Sequence, residues 1–138
     1  GGGVPVGAIV STDEISKVFT PGTHGTTFGG SPLVSSAVSA TIDIMKKEKL
    51  VENSAKMGAE IMNRVKKIKS PEISAVRGCG LIIGIEMPSK AKEFQIFCRE
   101  NGVLINVCHG DVVRLIPPLI IGKKEVDNVI GLLDSFLS

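Results

Sequence analysis

The sequence predicts a mixed α/β fold, an α+β layout in which one small, mainly antiparallel sheet is covered by helices. Three observations predict it. Amphipathic helical stripes recur after Ser31, short Val/Ile/Leu-rich runs bounded by Gly, Pro and Asn separate them, and two such runs are joined by the tight turn His109-Gly110-Asp111. A chain of 138 residues with 43% hydrophobic and 22% charged residues can bury a real core, which excludes an intrinsically disordered protein.

Taken in order, Val4 to Thr12 is rich in Val and Ile and predicts a buried strand, after which Asp13 caps a short helix ending near Phe19. Pro21 to Gly30 has no apolar period and reads as a loop. Ser31-Pro32 is an N-cap followed by the residue best suited to a first helical position, so a helix starts there. Val34, Val38, Ile42 and Met45 carry its stripe to about Lys49. Met57, Ile61, Val65 and Ile68 define a second helix from Asn53 to Lys69, whose Arg64, Lys66, Lys67 and Lys69 read as a solvated face. Arg77-Gly78-Cys79-Gly80 reads as a turn into a strand from Leu81 to Met87, where unbroken Leu-Ile-Ile predicts burial on both faces. Ala91, Phe94, Phe97 and Cys98 predict a helix closed by Asn101-Gly102. Strands Val103 to Cys108 and Val112 to Ile116 come next, then a helix with Val126, Val129, Ile130, Leu133 and Leu137 inward and Glu125 at its third position.

Composition narrows the function. Sixteen Lys and Arg against fourteen Asp and Glu leave a net charge of +2, with no Trp or Tyr to stack on bases, so nucleic acid is not an expected partner. No apolar run reaches the ~18 residues of a membrane span. A soluble protein is expected. Cys79, Cys98 and Cys108 are odd in number and lack metal-ligand spacing, which suits a reducing, cytoplasmic compartment and no metal site. Nothing at Gly1-Gly2-Gly3 resembles a secretory signal, and the missing Met reads as the middle of a longer chain.

The segment from His24 to Pro32, His-Gly-Thr-Thr-Phe-Gly-Gly-Ser-Pro, carries the strongest chemical signal. Two adjacent hydroxyls, glycines that admit close backbone approach and a helix N-terminus behind them make a sensible cradle for a phosphate monoester. An ordinary glycine loop with an N-cap explains the same residues. It is not a nucleotide P-loop, because no Gly-Lys-Ser/Thr closes it. Gly78-Cys79-Gly80 precedes a strand, the wrong context for a dinucleotide fingerprint. Arg114 sits mid-strand between apolar neighbours, either on a wet edge, in a structural ion pair or held for a carboxylate that matches its fork. His24 reads as a hydrogen-bonded loop residue, and His109 beside Cys108 points to the opposite strand face.

Four motifs carry a resemblance: Gly-Gly-Gly-Val-Pro-Val-Gly-Ala from Gly1, His-Gly-Thr-Thr-Phe-Gly-Gly-Ser-Pro-Leu from His24, Val-Arg-Gly-Cys-Gly-Leu-Ile-Ile-Gly-Ile-Glu from Val76, and Val-Arg-Leu-Ile-Pro-Pro-Leu-Ile-Ile from Val113. In this order and spacing they resemble the C-terminal part of a class III pyridoxal-phosphate (PLP) aminotransferase, in the acetylornithine and ornithine branch. The resemblance implies a PLP-dependent transferase fold in which residues 1–36 are the tail of the large cofactor domain and 37–138 the small C-terminal domain.

It also implies roles. Thr27 would bind the PLP phosphate of a neighbouring subunit, completing a site across a homodimer interface, while Thr26 would face the substrate and Arg114 would meet a substrate carboxylate. The reaction implied moves the terminal amino group of N-acetylornithine or ornithine to 2-oxoglutarate, as in arginine biosynthesis. Ser31 stands where the family usually has Asn, which still permits an N-cap. The family's Schiff-base lysine precedes the Gly-Gly-Gly, and none of the lysines present, such as Lys17 or Lys46, sits in that motif. Residues 1–138 alone are therefore expected to supply no catalytic residue, to hold no PLP and to be inactive. The alternatives are a non-catalytic domain serving subunit contact or ligand binding, and another class III transaminase acting on a different amine.

Overall fold

The computed structural model describes all 138 residues. They form two compact units, Gly1–Glu48 and Lys49–Ser138. The first holds two helices, α1 (Asp13–Ser16) and α2 (Pro32–Lys47). Thr12, not Asp13, is the N-cap of α1, its hydroxyl accepting from the Ile15 N–H at 3.5 Å. Helix α1 stops at Ser16, and turns carry the chain on to Phe19. The strand expected over Val4 to Thr12 does not form. Its Ile9 and Val10 are 78% and 99% exposed, because β-prone side chains make no strand without a neighbouring chain to share the ladder. The α2 helix starts at Pro32 as the Ser-Pro pair predicts, and buries none of its residues.

The second unit is built from α3 (Leu50–Val65), β1 (Ala75–Cys79), β2 (Ile82–Glu86), α4 (Ala91–Glu100), β3 (Asn106–Cys108), β4 (Val112–Leu115) and α5 (Lys123–Leu137). The strands form one antiparallel sheet in the order β1-β2-β4-β3. Met57, Ile61 and Val65 of α3, Phe94 and Cys98 of α4, and Val126, Ile130 and Leu133 of α5 close over Ile83, Ile85, Val113 and Leu115 of the sheet. Each such side chain contributes about 1.5–3 kcal/mol when fully buried. Phe136 joins α5 to α4 through Phe94 and Phe97, with ring centroids 5.2 and 5.5 Å apart. No helix is long and apolar enough to cross a membrane.

Several element boundaries differ from the sequence reading. Helix α3 begins at Leu50 and ends at Val65, because Lys49 takes the left-handed conformation at φ 53° and makes a break that periodicity cannot show. Arg77-Gly78-Cys79 lies inside β1, and the turn is Gly80-Leu81. Strand β3 starts only at Asn106: the Val103 N–H is taken by the Cys98 carbonyl at 2.8 Å, and the Ile105 carbonyl by the Gln95 amide at 3.1 Å. Strand β2 is buried on one face, not two, with Ile83 at 1% and Ile82 at 63% exposure. The hairpin turn forms as expected over the three residues His109-Gly110-Asp111, the Asp111 N–H donating to the Cys108 carbonyl at 3.3 Å and His109 and Gly110 both taking positive φ, at 55° and 90°.

Burial alone shapes one thiol: the apolar surroundings of Cys98 push it up to about 11, whereas Cys79 is exposed.

At the start of α5 the Gly122 N–H donates to Glu125 Oε2 at 2.9 Å, as the third-position Glu predicts. That bond, then Glu125's own N–H, holds the carboxyl below the ordinary carboxylate range. A lowered folded-state value stabilises the fold above the unfolded carboxylate pKa, and the gain is lost as pH falls through the folded value. Glu125→Gln is therefore expected to lower Tm at neutral pH, with the gap to the parent protein closing at an acid pH below the folded-state value. Thermal melts at both pH values check it; a gap that stays constant would assign the effect to packing.

Candidate functional site

The side chains singled out in the sequence fall into two groups, one in each unit. In the first, the His24–Gly30 loop runs exposed into the N-terminus of α2. A Cβ on Gly29 would overlap the Thr26 methyl, so glycine there lets the loop fold against its own threonine. Thr26 and Thr27 are both exposed. Ser31 is the N-cap by backbone conformation, yet its hydroxyl makes no capping bond, which leaves first-turn N–H groups of α2 free to meet an anion. No acidic residue stands in that turn. These features fit a phosphate group: hydroxyl donors, a close-packed glycine bend and an uncapped helix start. His24 packs edge-on against Phe19, ring centroids 6.1 Å apart, and so serves the loop's own shape.

In the second unit the face of the sheet opposite the helices is open. Register places Arg114 of β4 directly between Gly84 of β2 and Asn106 of β3, so Gly84 leaves one flank of the arginine clear. Arg114 is exposed and belongs to none of the chain's ion pairs. Arg77, two strands away on the same rung, is neutralised by Glu86, whose carboxylate also accepts from the Ser74 hydroxyl at 3.3 Å. Of the two arginines on this rung, Arg114 is the one with its fork free for a carboxylate.

Beside Arg114 opens a cavity of about 600 Å³, walled by the Gly102–Asn106 loop, the Ile116–Pro118 segment and the start of α5. It is mainly apolar, with Asn106, Glu125 and Asn128 as its other polar groups. Asn53 and Asn106 are residues of this region that the sequence reading did not single out. The pairing of Asn106 with Arg114 becomes visible only when the register is known.

A comparison with family models matches residues 1–137 to Aminotransferase class-III. The chain belongs to the class III aminotransferase family. Among curated relatives of this aminotransferase chain, the ornithine aminotransferase of Staphylococcus carnosus is 43% identical over 131 residues, covering 94% of this chain and 33% of the relative. The acetylornithine aminotransferase of Methanothermobacter thermautotrophicus is 40% identical over 140 residues, covering 100% of this chain and 36% of the relative. The chain thus spans about a third of the length of the curated relatives it matches.

Solved structures give the same answer for the aminotransferase fold. The acetylornithine aminotransferase of Elizabethkingia anophelis matches with a TM-score of 0.84 at 32% identity, over 93% of this chain and 35% of that one. The ornithine aminotransferase of Toxoplasma gondii, crystallised in the presence of oxidised glutathione with PLP partly occupying its active site, matches with a TM-score of 0.82 at 32% identity, over 90% of this chain and 30% of that one.

Proposed function

We propose that this chain is the C-terminal part of a PLP-dependent enzyme that transfers the terminal amino group of N-acetylornithine or ornithine to 2-oxoglutarate. The observation that carries the reading is Arg114, an exposed guanidinium without an ion-pair partner beside a largely apolar cavity. The ornithine and acetylornithine aminotransferase names of the relatives support the choice of amine. Residues 1–36 are proposed as the tail of the large domain and 37–138 as the small domain. The partners are the rest of the enzyme chain and a second, identical subunit, in the cytoplasm, with a role in arginine biosynthesis.

Each residue has a task that its own chemistry supports. Thr27 donates its hydroxyl to the PLP phosphate of the neighbouring subunit, while the free N–H groups at the start of α2 favour the same negative charge. Thr26 faces the substrate. Arg114 grips a substrate carboxylate through two parallel charge-assisted bonds and so fixes which end of the molecule enters. When bound, PLP supplies the electron sink that amino transfer needs. Residues 1–138 contain no lysine in the family's Schiff-base motif, so this stretch by itself is proposed to be inactive.

Thr27→Ala in the full-length enzyme is expected to weaken PLP retention by about 1.5–3 kcal/mol, the worth of a hydrogen bond to a charged group. The fold should be unaffected, since Thr27 is exposed. Titration of the apoenzyme with PLP, followed by cofactor absorbance, checks it. An unchanged Kd would return the loop to a plain helix cap.

A further inference from the structure

Arg114 is held in the sheet by β2 and β3 on either side, and the stretch of chain on its C-terminal side shapes the cavity next to it. The segment Ile116–Ile121 follows β4 directly, and its Ile116, Pro117, Pro118 and Ile121 line the cavity that Arg114 also lines. It has few means of holding its own shape. Pro117 and Pro118 carry no N–H, Leu119 and Ile120 are exposed, and its own backbone supplies one turn bond, from the Ile121 N–H to the Pro118 carbonyl at 3.1 Å.

The missing restraint comes from the first turn of α3. The half-buried Asn53 points its amide nitrogen at the segment and donates to two of its carbonyls, Leu119 at 2.7 Å and Ile121 at 3.0 Å. A side-chain amide has two N–H donors, and both are used here on one short stretch of backbone, so the assignment of nitrogen against oxygen is fixed by the partners. The adjacent Ser54 accepts from the Leu81 N–H at 3.1 Å, in the turn that feeds β2. Two consecutive residues of α3 therefore pin the entry to β2 and the exit from β4, the two strands that place Gly84 opposite Arg114.

We propose that Asn53 is a positioning residue for carboxylate recognition: it clamps the Ile116–Ile121 segment at Leu119 and Ile121, and through it fixes where the Arg114 fork points. This rests on the reading of Arg114 as the substrate-carboxylate residue. Its physical basis is the steep dependence of a bidentate contact on placement, for which a displacement of about 1 Å can cost up to a hundredfold. A clamp that served only the fold would change stability and leave substrate affinity alone.

The test is a double-mutant cycle in the full-length, PLP-loaded enzyme, reading KM and kcat for 2-oxoglutarate together with Tm. Asn53→Ala is expected to raise KM about tenfold while kcat changes less than about twofold, as fits loss of placement rather than of a reacting group. In an Arg114→Lys background, where the fork is already gone, the same change should add less than about twofold. Asn53→Gln, which keeps the amide donors, should recover part of the loss. A KM unchanged by Asn53→Ala, or effects that simply multiply in the double variant, would overturn the positioning role while leaving Arg114 in the site. A KM that Arg114→Lys itself leaves at the parent value would overturn the reading of Arg114 and this proposal with it. Should Asn53→Ala fail to fold, Asn53→Ser is scored by the same rules.

Discussion

Gly58→Val is expected to abolish stable folding of the unit from Lys49 to Ser138, and Gly58→Ala to destabilise it measurably. Gly58 lies mid-way along α3, where a Cβ would overlap the carbonyl of Gly80 in the turn between β1 and β2. That carbonyl cannot give way cheaply. Gly80 holds φ at +53°, and its neighbour Leu81 is tied to the Ser54 hydroxyl of the same helix. Helix propensity alone would favour alanine by about 1 kcal/mol, whereas forcing an extra carbon into a packed contact costs about 1–3 kcal/mol or more. Backbone overlap puts Gly58 at the upper end, so the contact wins. The opposite sign is expected in α5, where a Cβ on Gly131 meets nothing. There Gly131→Ala should gain about 0.5–1 kcal/mol. Denaturant melts of the three variants check the pair of signs; a stable Gly58→Val protein would show that α3 does not rest on this turn.

Arg114→Lys is expected to lower kcat/KM for 2-oxoglutarate about a hundredfold, because an ammonium cannot reproduce two parallel bonds from a planar fork. PLP binding and Tm should stay near the parent values, since Arg114 is exposed and in no ion pair. Steady-state kinetics with ornithine as donor, set beside a thermal melt, separate the two roles. Loss of Tm with unchanged kinetics would make Arg114 a structural residue of the open face.

Periodicity was enough to place the helices that bury a stripe. Val126, Ile130 and Leu133 of α5, and Phe94 with Cys98 of α4, occupy the core that their spacing predicts. Local chemistry placed the His109-Gly110 turn and the Ser-Pro start of α2. What failed were features that depend on neighbours remote in sequence. Val4 to Thr12 has strand composition but no ladder partner, and β1 hides behind glycines that read as a turn. The Leu-Ile-Ile run suggests burial on both sides, yet only register shows that Ile82 lies on the open face.

The same division holds for the candidate site. Thr26, Thr27 and Arg114 stand in motifs that can be read along the chain. Asn53 could not be found that way, because its partners are backbone carbonyls 66 and 68 residues away, and a carbonyl carries no sequence signature. Arg77 and Arg114 look alike in sequence, each coming after a valine in an apolar stretch. The fold tells them apart by giving Glu86 to the first.

The most direct measurement of the central claim is the amino-transfer reaction of the full-length enzyme carrying these 138 residues, loaded with PLP. Ornithine and N-acetylornithine are each offered with 2-oxoglutarate, and glutamate formation is followed. The expected result is glutamate from at least one of the two donors, at a rate that falls when Thr27 or Arg114 is changed. Failure of both donors to yield glutamate from a fully PLP-loaded enzyme would contradict it.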